Sequence, residues 1–467
     1  MRDLDFAFSP RSIAVVGASP NPGSRTTRNF LEPLVQLGCK ARIYPVNPHA
    51  GEIMGITAYP SVTAIPEPVD YVICGVPAPV VPTIVRECVA ARARVLAIFS
   101  AGFSETGAEP GISMEREIVR TAREGGVRII GPNCIGVHCP ASGVSLEVDI
   151  PGTSGDVAFI TQSGAYAREF MLAAAEREMF LSKLVSYGNA ADLNEVDFLE
   201  YFAEDNHTAI IAQYVEGVRE PRRFFGALRK ASSSKPVIIL KGGLTEAGRQ
   251  AAMSHTASIS GSKYVWEALC RQTRAVQTHD LEETLDTVQA FRSLKRPRGR
   301  RIGIVGIGGA GSVRAADDCE SAGLAVPLFP AELRGALSAF TTIAGTSVRN
   351  PVDTSAEVYW DEAALAKTID LIARHEGIDI LFIILNTLAG IRRGVDSLKG
   401  QSEVVVTAAS QTGKPTAVVI PTCGIDRADQ MAKEAAGHCV KAGFPVYRSS
   451  SRAARAVSHL VSYHEHR

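Results

Sequence analysis

Short runs of β-branched and aliphatic residues alternate along this chain with longer stretches whose apolar positions recur at helical spacing. Residues 12–16, 41–46, 71–76, 95–99 and 127–130 each read as strands. Each is followed by small or turn-forming residues, such as Gly17-Ala18-Ser19-Pro20, Asn47-Pro48-His49, Pro77-Ala78-Pro79, Ser100-Ala101-Gly102-Phe103 and Gly131-Pro132-Asn133-Cys134. Strand–helix alternation predicts a parallel, doubly wound sheet over a first domain, 1–149. Its carboxyl edge then gathers open backbone where such sheets bind ligands.

The pattern restarts at Gly155. Strands are expected at 157–161, 183–186, 209–215 and 236–240, within a second domain spanning 150–293. The first runs into Gln162-Ser163-Gly164-Ala165 and a helix, the third ends in Glu216-Gly217, and the fourth leads through Lys241-Gly242-Gly243 toward His255. Parallel strands end along one edge, so these three loops are expected to converge. A helix N-terminus seats a phosphate. A carboxylate beside an imidazole fixes its tautomer and raises its basicity. The neutral imidazole of His255, flanked by small and hydroxyl residues in Met253-Ser254-His255-Thr256-Ala257-Ser258, is then a candidate phosphoryl acceptor. Gly242, Gly243 and Gly248 look like hinges of a moving segment.

A basic stretch broken by proline and glycine, 294–301, reads as a solvated linker to a third domain, 302–467. Here the expected strands are 302–305, 324–328, 378–385, 416–420 and 445–447. The loop Gly306-Ile307-Gly308-Gly309-Ala310-Gly311 matches the G-x-G-x-x-G dinucleotide pattern. A ribose-binding acid is missing from the tip of the strand expected next, which weakens that reading. Domains two and three open alike. Packed face to face, their helix N-termini would grip one phosphate from opposite sides. The first loop, Gly17-x-Ser19, is no such fingerprint. The helix expected after it, from Ser24-Arg25-Thr26-Thr27-Arg28, offers N–H groups, hydroxyls and two arginines to an anion.

Bulk properties narrow the class. The 467 residues carry 49 Lys+Arg against 49 Asp+Glu, so there is no basic field that would suggest nucleic acid or a membrane surface. A hydrophobic content of 46% supports full cores, yet no apolar run approaches the ~18 residues of a membrane helix. The nine cysteines show no C-x-x-C pair and no metal-like spacing, as expected of reduced structural thiols and no bound metal. The N-terminus carries acids where a secretory signal would be basic, so a cytoplasmic protein is expected.

In order along the chain, Val15-Val16-Gly17-Ala18-Ser19, Tyr44-Pro45-Val46-Asn47-Pro48, Ser100-Ala101-Gly102-Phe103-Ser104-Glu105 and Gly131-Pro132-Asn133-Cys134-Ile135-Gly136 match a known set of motifs. Gln162-Ser163-Gly164-Ala165, Gly188-Asn189-Ala190-Ala191-Asp192, Tyr214-Val215-Glu216-Gly217-Val218, Ser254-His255-Thr256 and Asn350-Pro351-Val352-Asp353 continue it. With these, nearly the whole chain resembles the α subunits of the nucleoside-diphosphate-forming acyl-CoA synthetases, relatives of the succinyl-CoA synthetase α subunit.

The resemblance implies an α/β protein: a Rossmann-like CoA-binding domain followed by two flavodoxin-like domains of the succinyl-CoA-synthetase type. It implies the reaction acyl-CoA + ADP + phosphate ⇌ acid + CoA + ATP, through an acyl phosphate and a phosphohistidine at His255 oriented by Glu216. The phosphate would be held by Gln162, Ser163, Gly164 and Ala165 and by Gly308, Gly309, Ala310 and Gly311. Coenzyme A would be held by Gly17, Ala18, Ser19, Ser24, Asn47, Pro48, Val76, Pro77, Ser100, Ala101, Gly102 and Phe103. ATP/ADP and Mg2+ would come with a separate ATP-grasp β subunit, as α2β2, because neither ATP-grasp domains nor a P-loop are found here. Two positions depart from the pattern. His49 replaces a lysine expected beside the CoA phosphates, and Arg168 stands where a small or neutral residue is expected. Arg168 is a candidate partner for a second carboxylate or a sulfonate on a small acid substrate.

Other classes make different demands. An NAD(P)-linked oxidoreductase would use the Gly306 loop and leave His255 idle. A CoA- or nucleotide-binding regulatory protein would bind without needing His255. A related acyl- or carbamoyl-transfer subunit would have changed the chemistry on the same fold.

Overall fold

A computed structural model describes residues 4–21, 23–145, 147–148, 150–250, 262–306, 308–341, 347–353, 361–388 and 396–465. The segment carrying His255 lies outside the described residues. The chain divides into two compact units, Met1–Leu281 and Glu282–Arg467.

The first unit holds two large sheets and a small antiparallel hairpin, Glu52–Ile53 with Ile56–Thr57. In the first, β1 (Ser12–Val16), β2 (Arg42–Val46), β3 (Tyr71–Cys74), β4 (Val95–Ile98) and β5 (Arg128–Ile130) are all parallel, in the order β2-β1-β3-β4-β5. β1, β3 and β4 are buried along their whole length, which is why they read as unbroken apolar runs. Helices α1 (Val81–Ala90) and α2 (Glu109–Glu124) pack together and contribute Ile84, Val85 and Ile118 to a core with Val72 and Leu96.

The second sheet adds β6 (Gly136–His138), β7 (Val157–Thr161), β8 (Leu181–Ser186), β9 (Ile210–Val215), β10 (Val237–Lys241) and β11 (Val276–Thr278), in the order β11-β10-β9-β7-β8-β6. Only β6 is antiparallel, with Leu184 opposite His138. It was not expected from the sequence, being three residues long and too short to show periodicity. Helices α3 (Gly164–Glu176), α4 (Glu195–Ala203), α5 (Pro221–Ser234) and α6 (Lys263–Thr273) belong to this sheet. Phe170 of α3 stacks on Phe159 of β7 at 4.0 Å between ring centroids. Burying such a ring contributes about 2–3 kcal/mol and fixes the helix start over the strand end.

The two sheets are joined along a strand-like pairing. Asn189, Ala191 and Leu193 donate their main-chain N–H groups to the carbonyls of Pro132, Gly131 and Ile129 at 3.0, 3.0 and 3.1 Å. Gly188 is obligatory here, since a Cβ would come within 2.3 Å of the carbonyl oxygens of Asn133 and Pro132. Asp192 accepts from Arg123 Nε at 2.8 Å, Arg128 Nε at 2.9 Å and the Ile129 N–H at 2.9 Å. Burial alone would raise its pKa, but these donors outweigh it and hold the carboxyl below the usual aspartate range.

In the second unit, β12 (Ile302–Gly306), β13 (Val352–Asp353), β14 (Ile380–Ile384), β15 (Thr416–Val419) and β16 (Val446–Tyr447) form a parallel sheet, ordered β13-β12-β14-β15-β16. The three large sheets therefore share one doubly wound order, 2-1-3-4-5, counting from the first strand of each parallel set. The strand expected at 324–328 does not form; only Ala325 makes a single bridge, to Arg301. Pro327 lacks a donor, and the Asn350 carboxamide fills the gap by accepting from Ile304 N–H and donating to the carbonyls of Ile302 and Pro327. The helix α7 (Leu281–Ser293), expected to close the second domain, packs in the second unit. Its Ala290 shares a core with Val457 and Leu460 of α8 (Ser450–Glu465), and Asp286 pairs with Arg452 of that helix. The basic linker is only partly solvated, because Arg301 forks onto Asp379 at 2.9 and 2.8 Å. Among the described residues, no helix is long and apolar enough to cross a membrane.

Candidate active site

At the carboxyl edge of the second sheet, β7 and β9 are neighbours, so Gln162 and Glu216 emerge side by side. The Gln162 carboxamide oxygen accepts the N–H groups of Glu216 and Gly217, the latter at 3.1 Å. Tyr214 donates its hydroxyl to Glu216 Oε1 at 3.1 Å. Burial, and after it the Glu216 carboxylate, push the Tyr214 phenol above its usual range, so it stays a donor. Tyr166 lies edge-on to Tyr214 at 4.5 Å and walls the carboxylate. Ser163 caps α3 by accepting the Tyr166 N–H at 3.3 Å, while its own N–H goes to Thr161 Oγ1 at 3.0 Å. The helix begins at Gly164, two residues earlier than the sequence pattern places it, with Ala165 exposed in its first turn. Such a turn presents unsatisfied N–H groups.

β10 lies beside β9 and ends in Lys241, followed by Gly242 and Gly243. Lys241 Nζ donates to the Glu216 carbonyl at 2.7 Å and to the Gly242 carbonyl. Gly243 has a φ of +72°, while Gly248 sits inside a helical turn that begins at Glu246. The expected pairing of Glu216 with His255 falls outside the described residues.

The edge of the first sheet is built by close backbone approach. Gly17 has a φ of +91°, and a Cβ there would lie 3.0 Å from the Gly75 carbonyl oxygen. Asn47 Nδ2 donates to the Ala18 carbonyl at 2.8 Å, and Ser100 Oγ donates to that of Val76. Two of the hydroxyls expected to face an anion, those of Thr26 and Thr27, are instead used inside the protein. Thr26 donates to the Gly75 carbonyl at 2.9 Å, and Thr27 bonds both main-chain groups of Ser19 at 2.9 Å. Ser24 accepts the Thr27 N–H at 3.3 Å. Arg25 covers the Phe99 ring at 5.7 Å, and the helix they open is a π turn, Thr27–Leu31. Two further expected contacts are engaged: Glu105 accepts the N–H groups of Gly102 and Phe103, and the Phe103 ring is fully buried. Burial opposes ionisation of Glu105, but Asn189 and these amides outweigh it and keep the carboxyl ionised. Cys134 is inert, because burial pushes its thiol up to about 12.

Within the second unit, helix 309–321 opens at Gly309, and Gly308, with a φ of +89°, donates its N–H to Asp353 Oδ1 at 3.0 Å. The sequence places no acid at the neighbouring strand tip, because it assigns the wrong strand there. Asp353 ends that strand, and it braces the glycine loop. Arg168 faces Glu147, Nε to Oε2 at 2.9 Å, in place of open solvent.

Residues 11–140 match the family described as CoA binding domain, and residues 154–291 that described as succinyl-CoA ligase like flavodoxin domain. The α subunit of acetate–CoA ligase [ADP-forming] I from Pyrococcus furiosus is 33% identical, covering 98% of this chain and 97% of its own. This chain belongs to the ADP-forming acyl-CoA ligase α subunits. The longer acetate–CoA ligase [ADP-forming] I of Archaeoglobus fulgidus is 32% identical over 98% of this α subunit and 64% of its own length. Among solved structures, the dinucleotide forming acetyl-coenzyme A synthetase 1 of Ca. Korarchaeum cryptofilum, in complex with phosphate and ADP, superposes with a TM-score of 0.87 at 30% identity. That match covers 100% of this chain and 97% of the other.

For a ligase α subunit, three side chains at these edges escaped sequence reasoning. Lys241 ends an apolar strand, and a buried cation at a strand tip beside the histidine segment was the available signal. Glu105 and Asn189 sit within quoted motifs, but the 2.6 Å bond between them spans 84 positions and has no local signature.

Proposed function

We propose that this chain is the phosphoryl-relay subunit of a ligase interconverting acyl-CoA, ADP and phosphate with a small carboxylic acid, CoA and ATP. The observation that carries this reading is the braced Glu216. Gln162 and Lys241 fix its main chain and Tyr214 its side chain, beside the N-terminus of α3 and at the root of the segment leading to His255.

A phosphate oxygen attacks the thioester carbonyl, the C–S bond breaks, and CoA leaves as a thiolate that takes a proton. The neutral His255 imidazole attacks the phosphorus of the resulting acyl phosphate, and the carboxylate leaves. The histidine then passes the phosphoryl group to a nucleoside diphosphate held, with Mg2+, by an ATP-grasp β subunit in an α2β2 assembly. Glu216 keeps the ring in the reactive tautomer and offsets the positive charge that forms on it. The amides of Gly164 and Ala165, at the N-terminus of α3, hold phosphate oxygens. Coenzyme A fits the first sheet's edge, where the Gly17–Gly75 approach leaves no room for a side chain and the Asn47–Ala18 bond fixes the loop.

The test is transfer of label from γ-labelled ATP in the presence of the ATP-grasp subunit and Mg2+. Acid-labile, base-stable label on this chain, absent in His255→Ala, is expected. An unlabelled wild type beside an active partner would overturn the reading.

A further inference from the structure

Lys241 is only 4% exposed, and a buried ammonium persists only where it is well partnered. Its partners come from three separate places. One is the Glu216 carbonyl at 2.7 Å, at the end of β9. The second is the carbonyl of Gly242, the first residue of the segment that leads to His255. The third is the ring of Trp266, 5.3 Å away on α6, the first helix after that segment. Trp266 is in turn fixed edge-on to Phe224 of α5, at 5.9 Å. One cation thus ties the departing and returning ends of the histidine segment to the main chain of Glu216. An apolar side chain would fill this space at lower desolvation cost, as buried ionic groups generally show. The charge therefore calls for a role beyond packing.

We propose that Lys241 is a positioning residue for phosphoryl transfer, setting both feet of the His255 segment against Glu216 so that the imidazole meets its carboxylate in register. This rests on the relay role of His255 given above. The ammonium touches neither substrate nor phosphate. Its effect is on the rate of transfer and not on CoA affinity, because the CoA-binding edge belongs to the other sheet. Burial draws its titration down to about 8, against the attraction of Glu216. Among the described residues, Glu216 and Tyr214 lie beside it at the end of β9, with Tyr166 of α3 edge-on to Tyr214, and His279 and Asp280 follow the end of β11 on its other side. Both phenols are pushed upward by burial, away from that range.

The experiment measures single-turnover labelling of the full chain by γ-labelled ATP and the ATP-grasp subunit between pH 6 and 9, with CoA affinity and thermal unfolding alongside. In Lys241→Met the labelling rate is expected to fall roughly ten- to hundredfold, the scale of an ångström-size misplacement. CoA affinity should hold within about twofold, and the wild type's decline above pH 8 should be lost in the variant. Labelling of a folded Lys241→Met at the wild-type rate, with the alkaline decline intact, overturns the proposal. If the variant fails to fold, the wild-type profile decides: a decline near pH 8 in labelling but not in CoA binding supports it, and a flat profile overturns it. Failure of the wild type itself to label defeats the relay reading, which the wild-type control separates from failure of this one.

Discussion

The carboxamide oxygen of Gln162 takes the main-chain N–H groups of Glu216 and Gly217 together. One neutral side chain thus terminates β9 and aims the acid that follows it. Gln162→Leu leaves two buried donors without an acceptor, at about 1–3 kcal/mol each when unmet. We expect a lower melting temperature and slower histidine labelling, both read on the purified chain with its partner. An unchanged melting temperature would show that water replaces the carboxamide.

Gly242 is the second position where a small change should tell. A Cβ there would lie 2.7 Å from the Tyr214 hydroxyl, which donates to Glu216. Gly242→Ala must displace that phenol. Labelling should drop at least severalfold while CoA affinity, measured by calorimetry, stays put.

His138 is buried on β6, with Nδ1 3.2 Å from Ser145 Oγ, and burial lowers its pKa to about 4. The unfolded chain binds this proton near pH 6.5. Between roughly pH 6.5 and 4 the unfolded state is therefore protonated where the folded state is not, and stability falls as pH falls. The contribution is on the order of 3 kcal/mol across that window. Urea unfolding of His138→Phe should show a flatter acid limb than the wild type.

Arg168 is held by Glu147. With its charge engaged, Arg168→Ala should leave the KM for a monocarboxylic acid within about twofold. A large rise in KM, confined to acids with a second negative group, would instead place the guanidinium on the substrate.

Strands buried on both faces were legible because β1, β3, β4 and β7 spell apolar runs with turn residues after them. Convergence of Gln162 and Glu216 followed from parallel topology alone. The short strands β6 and β13 were not legible, since pairing partners define them and not any pattern of their own. Apolar content misled at 324–328, where the Asn350 side chain takes the place of a strand. The hydroxyls after β1 looked like anion ligands because sequence cannot tell a hydroxyl that faces a ligand from one that staples a loop.

Ile129, Gly131 and Pro132 lend their carbonyls to residues 189–193, and Asp192 gathers two arginines from the other side. Recombination between relatives therefore has a natural cut point after residue 281 and a poor one between the first two sheets. A chimera that imports a foreign CoA-binding sheet without residues 188–195 would lose the seam that holds the first sheet to the second. Inheritance should run in units of the whole 1–281 body, whichever acid the ligase has come to use.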